Sequence, residues 1–244
     1  MELQTFNRKE TKFLLTGEQY QALMKSLEGS LRLDPHCRDG AYRICNIYFD
    51  TPDNEVLRRS AAKPYYKEKL RLRSYGTPSS DHDRVFLELK RKIGGIVSKR
   101  RTALTYGQAK DYLGNGVKPR LSSYTDLQVL SEIDWFVRNN PVTPYAYVSY
   151  DRIAMFGAED RSLRITLDCD LQARRSDLSL SHGSYGHFLL PHDTWLMEVK
   201  FSGAVPLFLA RTLSELEIYS RGFSKIGAEY KLMLAEGERQ TAAV

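Results

Sequence analysis

Basic side chains recur at every second position through three consecutive stretches of this chain. Lys67, Lys69, Arg71 and Arg73 do so in YKEKLRLRSYG, Glu88, Lys90 and Lys92 in VFLELKRKIGG, and Lys99 and Arg101 in IVSKRRTAL. Successive side chains of an extended strand point to opposite faces, so each set shares one face. Leu70 and Leu72, and then Leu87, Leu89 and Arg91, take the other face. A single strand of this kind reads as a solvated sheet face. Three in succession, each mixing Arg and Lys with at most one Glu, line up like charge that needs a counter-charge. Phosphate chains and metal ions supply it. Arg offers planar forks for non-bridging phosphate oxygens, and Lys offers point charges. The same alternation recurs in Arg8, Glu10 and Lys12, and in Glu198 and Lys200.

The elements that must position these groups are legible in outline. Thr5 to Leu15 reads as a strand, and Thr16-Gly17-Glu18 launches a helix that Gly29 ends. Tyr42 to Phe49 is a strand rich in β-branched and aromatic residues, followed by a turn and a short helix from Asn54 to Ala61. After the three basic strands come helices over Thr105 to Leu113 and Tyr124 to Asn139. Leu127, Leu130, Ile133 and Val137 form a core-facing stripe on the second of these. Strands over Pro144 to Phe156, Ser162 to Leu171 and Thr194 to Phe201 follow, with a polar, mobile loop from Arg174 to His192. Two helices close the chain, and QTAAV at the end reads as frayed. About eight strands, each charged on one face and apolar on the other, predict an α+β fold. Its centre would be a closed antiparallel barrel with a charged bore and helices packed outside. The whole chain, residues 1–244, reads as a single domain with no linker or repeat.

Composition narrows the function classes. At 42% hydrophobic residues the chain can bury a sizeable core, and its net charge of +6 suits an acidic partner. Three cysteines without a C-x-x-C pair argue against a disulfide framework or a zinc site and fit the reducing cytoplasm. No apolar run approaches the roughly 20 residues that span a bilayer. No secretory signal opens the chain, so any membrane partner is encoded separately. There is no P-loop and no Rossmann glycine fingerprint, so ATP would not be held that way. His182, His187 and His192 share one polar loop without zinc spacing and read as solvated. Asp168 and Asp170 share a face and read more readily as turn-fixing residues than as a metal pair.

Nine short motifs then occur in order: RKETKF, YFDTP, EKLRLRSYG, FLELKRK, SKRR, YDR, LRITLDCDL, MEVKF and FSK, from Arg8 to Lys225. Together they resemble the VTC domain, the polyphosphate polymerase domain of the vacuolar transporter chaperone family. That family falls within the triphosphate tunnel metalloenzyme, or CYTH-like, superfamily. The resemblance implies a tunnel in which ATP donates its γ-phosphate to inorganic polyphosphate with the help of Mn²⁺ or Mg²⁺. It implies phosphate contacts from Lys12, Arg71, Arg73, Lys90, Arg152, Arg164, Lys200 and Lys225, joined by at least one of Lys99 and Arg101. Glu198 is the implied metal ligand, with Glu10 and Glu88 as supporting carboxylates. Arg8 stands where general CYTH enzymes open with Glu, which leans toward polymerase over triphosphatase. Arg221 and Gly222 precede Phe-Ser-Lys where members tend to carry another basic residue. A tunnel triphosphatase or polyphosphatase and a non-catalytic polyphosphate- or nucleotide-binding module are the alternatives. A nucleic-acid binder ranks last, because its cations should form an outer stripe.

Overall fold

The computed structural model describes residues 8–37, 40–62, 64–94 and 96–242. In chain order the first half holds β1 (Arg8–Thr16), α1 (Gly17–Ser26), β2 (Leu31–Leu33), β3 (Tyr42–Asp50), α2 (Glu55–Ala61), β4 (Tyr66–Tyr75), β5 (Arg84–Ile93), β6 (Ile96–Thr105) and α3 (Tyr106–Asn115). The second half holds α4 (Tyr124–Asn139), β7 (Thr143–Gly157), β8 (Arg164–Arg174), β9 (His187–Phe188), β10 (Thr194–Ser202), α5 (Leu207–Glu215) and α6 (Lys225–Ala242). The strands pair in the order β1-β10-β8-β7-β3-β4-β5-β6, with β2 added to β7 and β9 to β8. The fold is therefore α+β with a large antiparallel sheet. Among the described residues this pairing is an open order, and the closure into a barrel expected from the sequence is not part of it. No helix among them is long and apolar enough to cross a membrane.

Contacts divide the chain into two units of three segments each. The first comprises Met1–Arg43, Tyr150–Leu171 and Leu190–Ser224. Its core joins Phe13 and Leu15 of β1 to Ile165 and Leu167 of β8 and to Met197, Val199 and Phe201 of β10. Leu23 and Leu27 from the α1 segment and Leu209 and Leu213 of α5 cover these residues. The period-two pattern thus sends every second side chain inward and leaves Glu10, Lys12, Glu198 and Lys200 on the opposite face. Thr16 caps α1 through a reciprocal capping box with Gln19, and Tyr20 of α1 stacks on Trp195 with ring centroids 3.8 Å apart.

The second unit comprises Ile44–Ser149, Gln172–Leu189 and Lys225–Val244. Leu70 and Leu72 of β4, with Val85, Leu87 and Leu89 of β5, pack beneath Val129, Leu130, Ile133 and Phe136 of α4. Arg91 and Arg100 turn to this same side and reach α4, where both bond Glu132. Arg100 therefore points away from Lys99 and Arg101, as alternation requires. Asp50 is buried and starts α2 by accepting the amides of Val56 and Leu57 at 2.9 and 3.0 Å.

The first strand runs from Arg8 among the described residues, and residues 5–7 of its expected span lie outside them. The closing helix runs to Ala242, past the expected start of fraying at Gln240, with 243–244 outside the described residues. The polar loop after Arg174 is largely irregular, with a 3-10 turn at Leu180–His182 and the short β9, and it is anchored by Arg174. Arg174 is buried, with its guanidinium 3.7 Å from the Tyr147 ring centroid and 4.1 Å from that of Tyr185. It donates to the carbonyls of Asp177, Ser179, Gly183 and Tyr185, tying the segment down through its own backbone.

The face assignment of α4 has a direct check. Ile133→Ala should lower unfolding stability by about 2–5 kcal/mol, because Ile133 is wholly buried. Trp135→Ala, at 58% exposure, should change it by less than about 0.5 kcal/mol in the same urea titration.

Candidate functional site

In the second unit the strand register assembles the basic residues into rows. Arg71 lies across from Glu88 and Lys69 across from Lys90. On the next strand Arg101 lies across from Glu88 and Lys99 across from Lys90. β3 sets Tyr48 across from Arg71 and Asn46 across from Arg73. Arg71 donates to Glu88 Oε2 from Nε and Nη2 at 2.8 and 2.6 Å, and to the Tyr48 hydroxyl at 3.2 Å. Arg73 Nε donates to Asn46 Oδ1 at 2.8 Å. Lys99 Nζ is 3.7 Å from Glu88 Oε1, and the Arg101 guanidinium sits 4.8 Å from the Phe86 ring centroid.

Charge dominates this face. Of the expected site residues it carries six cations, Arg71, Arg73, Lys90, Lys99, Arg101 and Lys225, against the single carboxylate of Glu88. Burial pushes the Glu88 carboxyl up, but Arg71, Arg73 and Lys99 outweigh it and bring it down to about 2. Burial likewise raises the Tyr48 phenol, yet Arg71, Arg73 and Lys225 draw it down to about 8. Lys99 moves the other way for a lysine. Burial lowers it, Glu88 restores part, and the neighbouring Arg101, Arg71 and Arg73 lower it again, to about 8. A polyanion bound here would favour the charged form of Lys99 against both its burial and its cationic neighbours.

The first unit is built differently. Across β1, β10 and β8 the register reads Glu10–Lys200–Arg164 and, one pair along, Lys12–Glu198–Thr166. Lys12 Nζ lies 3.0 Å from Glu198 Oε1 and 3.6 Å from Glu10 Oε1, and Lys200 Nζ lies 3.4 Å from Glu10 Oε2. Arg152 grips Asp168 with two parallel bonds of 2.6 and 2.7 Å. Asp168 is wholly buried. Burial works against the Arg152 cation, but Asp168 more than compensates and raises it well above its usual value. Arg164 Nη2 reaches the buried Asp34 at 3.4 Å. Four cations, Lys12, Arg152, Arg164 and Lys200, thus meet four carboxylates, Glu10, Asp34, Asp168 and Glu198.

Two carboxylates gathered on one ammonium form a donor set that a hard divalent cation also takes, as Mg²⁺ does with one or two carboxylates plus substrate phosphates. Among the described residues no three acidic, His or Cys side chains converge. Phosphate oxygens and water would complete the shell. Glu88, the third expected carboxylate, stands in the second unit facing Arg71 and Lys99. The side chain of Arg8 lies outside the described residues.

A family model described as the VTC domain matches residues 7–234. The chain belongs to the VTC-domain family. Two solved structures resemble this VTC domain over most of both chains. One is a candidate adenylate cyclase from Bacillus halodurans, at 15% identity and TM-score 0.51, covering 89% of this chain and 95% of that one. The other is a candidate adenylyl cyclase from Hippeastrum, described as having a dominant triphosphatase activity. It shows 16% identity and TM-score 0.50, with 89% and 92% covered. At such identities the likeness concerns the fold. No curated protein matches the chain.

Sequence reasoning missed the groups that hold the expected ones in place. Asn46, Tyr48 and Asp50 share a parity opposite the apolar Cys45, Ile47 and Phe49 in β3, a signal that could have marked them. Asp168 has the same parity as Arg164 and pairs with Arg152 instead of fixing a turn. Of the three histidines, His182 pairs with Asp177 and His187 with the buried Glu229, at 2.6 Å for the latter.

Three outcomes are expected. Asp168→Asn should destabilise the protein by about 3–5 kcal/mol in urea, since it strands a buried guanidinium. Glu88 has a depressed folded pKa, so its stabilisation is complete above its ordinary 4.5 and is lost as pH falls toward 2. Glu88→Gln should remove that part of the acid sensitivity. Lys99, at about 8 in the free protein, should regain its proton beside a polyanion. Tripolyphosphate binding at pH 8 should then take up about half a proton more than in Lys99→Met, read by calorimetry in buffers of different ionisation enthalpy.

Proposed function

We propose that this VTC domain is a metal-dependent polyphosphate polymerase that moves the γ-phosphate of ATP onto a growing polyphosphate chain. The observation that carries the reading is the cationic face of the second unit, where six of the expected phosphate-binding residues gather about Glu88, in a member of this family. Arg71, Arg73, Lys90, Lys99, Arg101 and Lys225 bind phosphate oxygens there. Arg152, Arg164, Lys12 and Lys200 do so in the first unit, where Glu198 and Glu10 hold Mn²⁺ or Mg²⁺. Bound there, the metal would neutralise charge that develops on the transferring phosphoryl group.

Phosphoryl transfer asks little covalent chemistry of a protein; alignment and charge neutralisation do most of it. An oxygen of the terminal phosphate of the chain attacks the γ-phosphorus. The bond to the β-bridging oxygen breaks, and ADP departs. Glu88 keeps Arg71 aimed by accepting from two of its nitrogens, so the fork need not reorganise when phosphate arrives. Closure of the sheet into a tunnel barrel and a single domain over 1–244 belong to the same proposal. So do the cytoplasmic location and the exclusion of nucleic acid as a partner.

The triphosphatase described for the Hippeastrum protein favours a second reading, in which water takes the place of the chain end. Purified protein with ATP and Mn²⁺, with and without a short polyphosphate primer, separates the two on a gel. A ladder of lengthening chains with ADP released supports the polymerase; free phosphate without a ladder supports the hydrolase. Polyphosphate binding without turnover would leave only a binding module. Glu198→Gln should reduce turnover by at least a hundredfold while circular dichroism stays unchanged. A loss within threefold would remove Glu198 from the metal site.

A further inference from the structure

The Glu10 and Glu198 carboxylates already surround a cation that belongs to the chain. Lys12 Nζ lies within ion-pair distance of both, and it also donates to the carbonyl oxygen of Phe223 at 3.1 Å. Three oxygens from β1, β10 and the run that follows α5 thus meet one ammonium. An ordinary cross-strand pair explains Lys12 against Glu198, which face each other in register. It does not explain a backbone carbonyl more than two hundred residues away in sequence. Thr166, directly across from Glu198 on β8, is buried, and its hydroxyl has no hydrogen-bond partner among the described residues. It is a further oxygen beside the pair.

Cations already stand against both carboxylates of this cluster, and the Arg152 guanidinium acts on Glu198 as well. Two carboxylates, Glu10 and Glu198, stand against two ammoniums, Lys12 and Lys200. A divalent cation entering it is attracted by the first two and repelled by the second two at similar range, so it gains little unless an ammonium withdraws. Lys200 is the more exposed of the two, at 41%, but its ion pair is with Glu10; Lys12 lies against both carboxylates, so its withdrawal is the one that opens the pair. Its side chain is 21% exposed and carries its charge on a flexible four-carbon stem, whereas Glu198 is 11% exposed on a central stretch of β10.

We propose that Lys12 is a resident counter-ion that a divalent cation displaces. The ammonium keeps Glu10 and Glu198 converged while no metal is bound, and on displacement it turns to the phosphate oxygens of the substrate. Lys12 cannot serve carboxylates and phosphate fully at once, so metal loading and phosphate contact become coupled, each making room for the other. The inference rests on the reading of Glu198 as a metal ligand.

Mn²⁺ titration without nucleotide, followed by electron paramagnetic resonance, tests it on wild type, Lys12→Met and Glu198→Gln. Lys12→Met should bind Mn²⁺ at least tenfold more tightly than wild type, about 1.4 kcal/mol, and Glu198→Gln should lose the site. Equal or weaker binding by folded Lys12→Met, with Glu198→Gln still defective, overturns the counter-ion and leaves the metal assignment standing. Mn²⁺ binding by neither wild type nor Lys12→Met, or binding that survives Glu198→Gln, overturns both. Should Lys12→Met fail to fold, the wild-type protein serves. Mg²⁺ alone must shift the ¹⁵N-detected ammonium signal of Lys12, and an unmoved signal overturns the proposal.

Discussion

One buried carboxylate against a field of cations is the interaction on which the rest of the second unit depends. Strands that bury leucines on one face must present whatever alternates with them on the other. In β4, β5 and β6 that is Arg and Lys. Packed in register at strand spacing, such residues repel one another. Glu88 relieves this at the centre of the row, between Arg71 on one side and Arg101 and Lys99 on the other. Among the expected site residues Glu88 is the one carboxylate set against six cations, and that imbalance is what the proposed phosphate binding would use. A second carboxylate nearby would relax the lysine and stabilise the empty protein while weakening what it could bind.

The two units solve the charge problem in opposite ways. In the first unit four of the basic residues meet four carboxylates, two of them buried, and two of the pairs are geometrically specific: two parallel bonds between Arg152 and Asp168, a single longer one between Arg164 and Asp34. Buried pairs of this kind are weak evidence of stability for its own sake. They are better understood as a means of holding long cations at a set position. A balanced cluster is also one that a new charge can enter only by exchange, whereas an unbalanced face accepts a ligand by simple addition.

Sequence reading reached the elements and faces where one period dominated. The alternation in β4, β5, β6 and β10 needed no structure to interpret; α4 has the expected span, but its expected core-facing Leu127 is exposed, while Val129 and Phe136 are buried beside Leu130 and Ile133. The polar partners were less legible because partnership is a property of register, and register is set by pairing between distant segments. Nothing local in the Asp168 neighbourhood reports that Arg152 lies opposite. Arg174 was hidden for a related reason: an arginine in a Gly- and Ser-containing stretch looks solvated until two tyrosines are found against its planes. The polymerase chemistry itself rests on family membership, because phosphate-neutralising side chains are the same whether the acceptor is a phosphate chain or water.

The order of the segments along the chain has a consequence for synthesis. β4, β5 and β6 are consecutive hairpins whose partners are neighbours in sequence, so they can pair as soon as they are made, with little loop entropy to overcome. The β1–β10 pair joins segments far apart in sequence and waits until β10 has left the ribosome. A nascent chain therefore displays its cationic hairpins well before Glu198 exists. During that interval they are exposed to ribosomal and messenger RNA, the most abundant polyanions at hand. Early docking of α4 and the α3 segment against the leucine side, both encoded directly downstream, limits that exposure to one face.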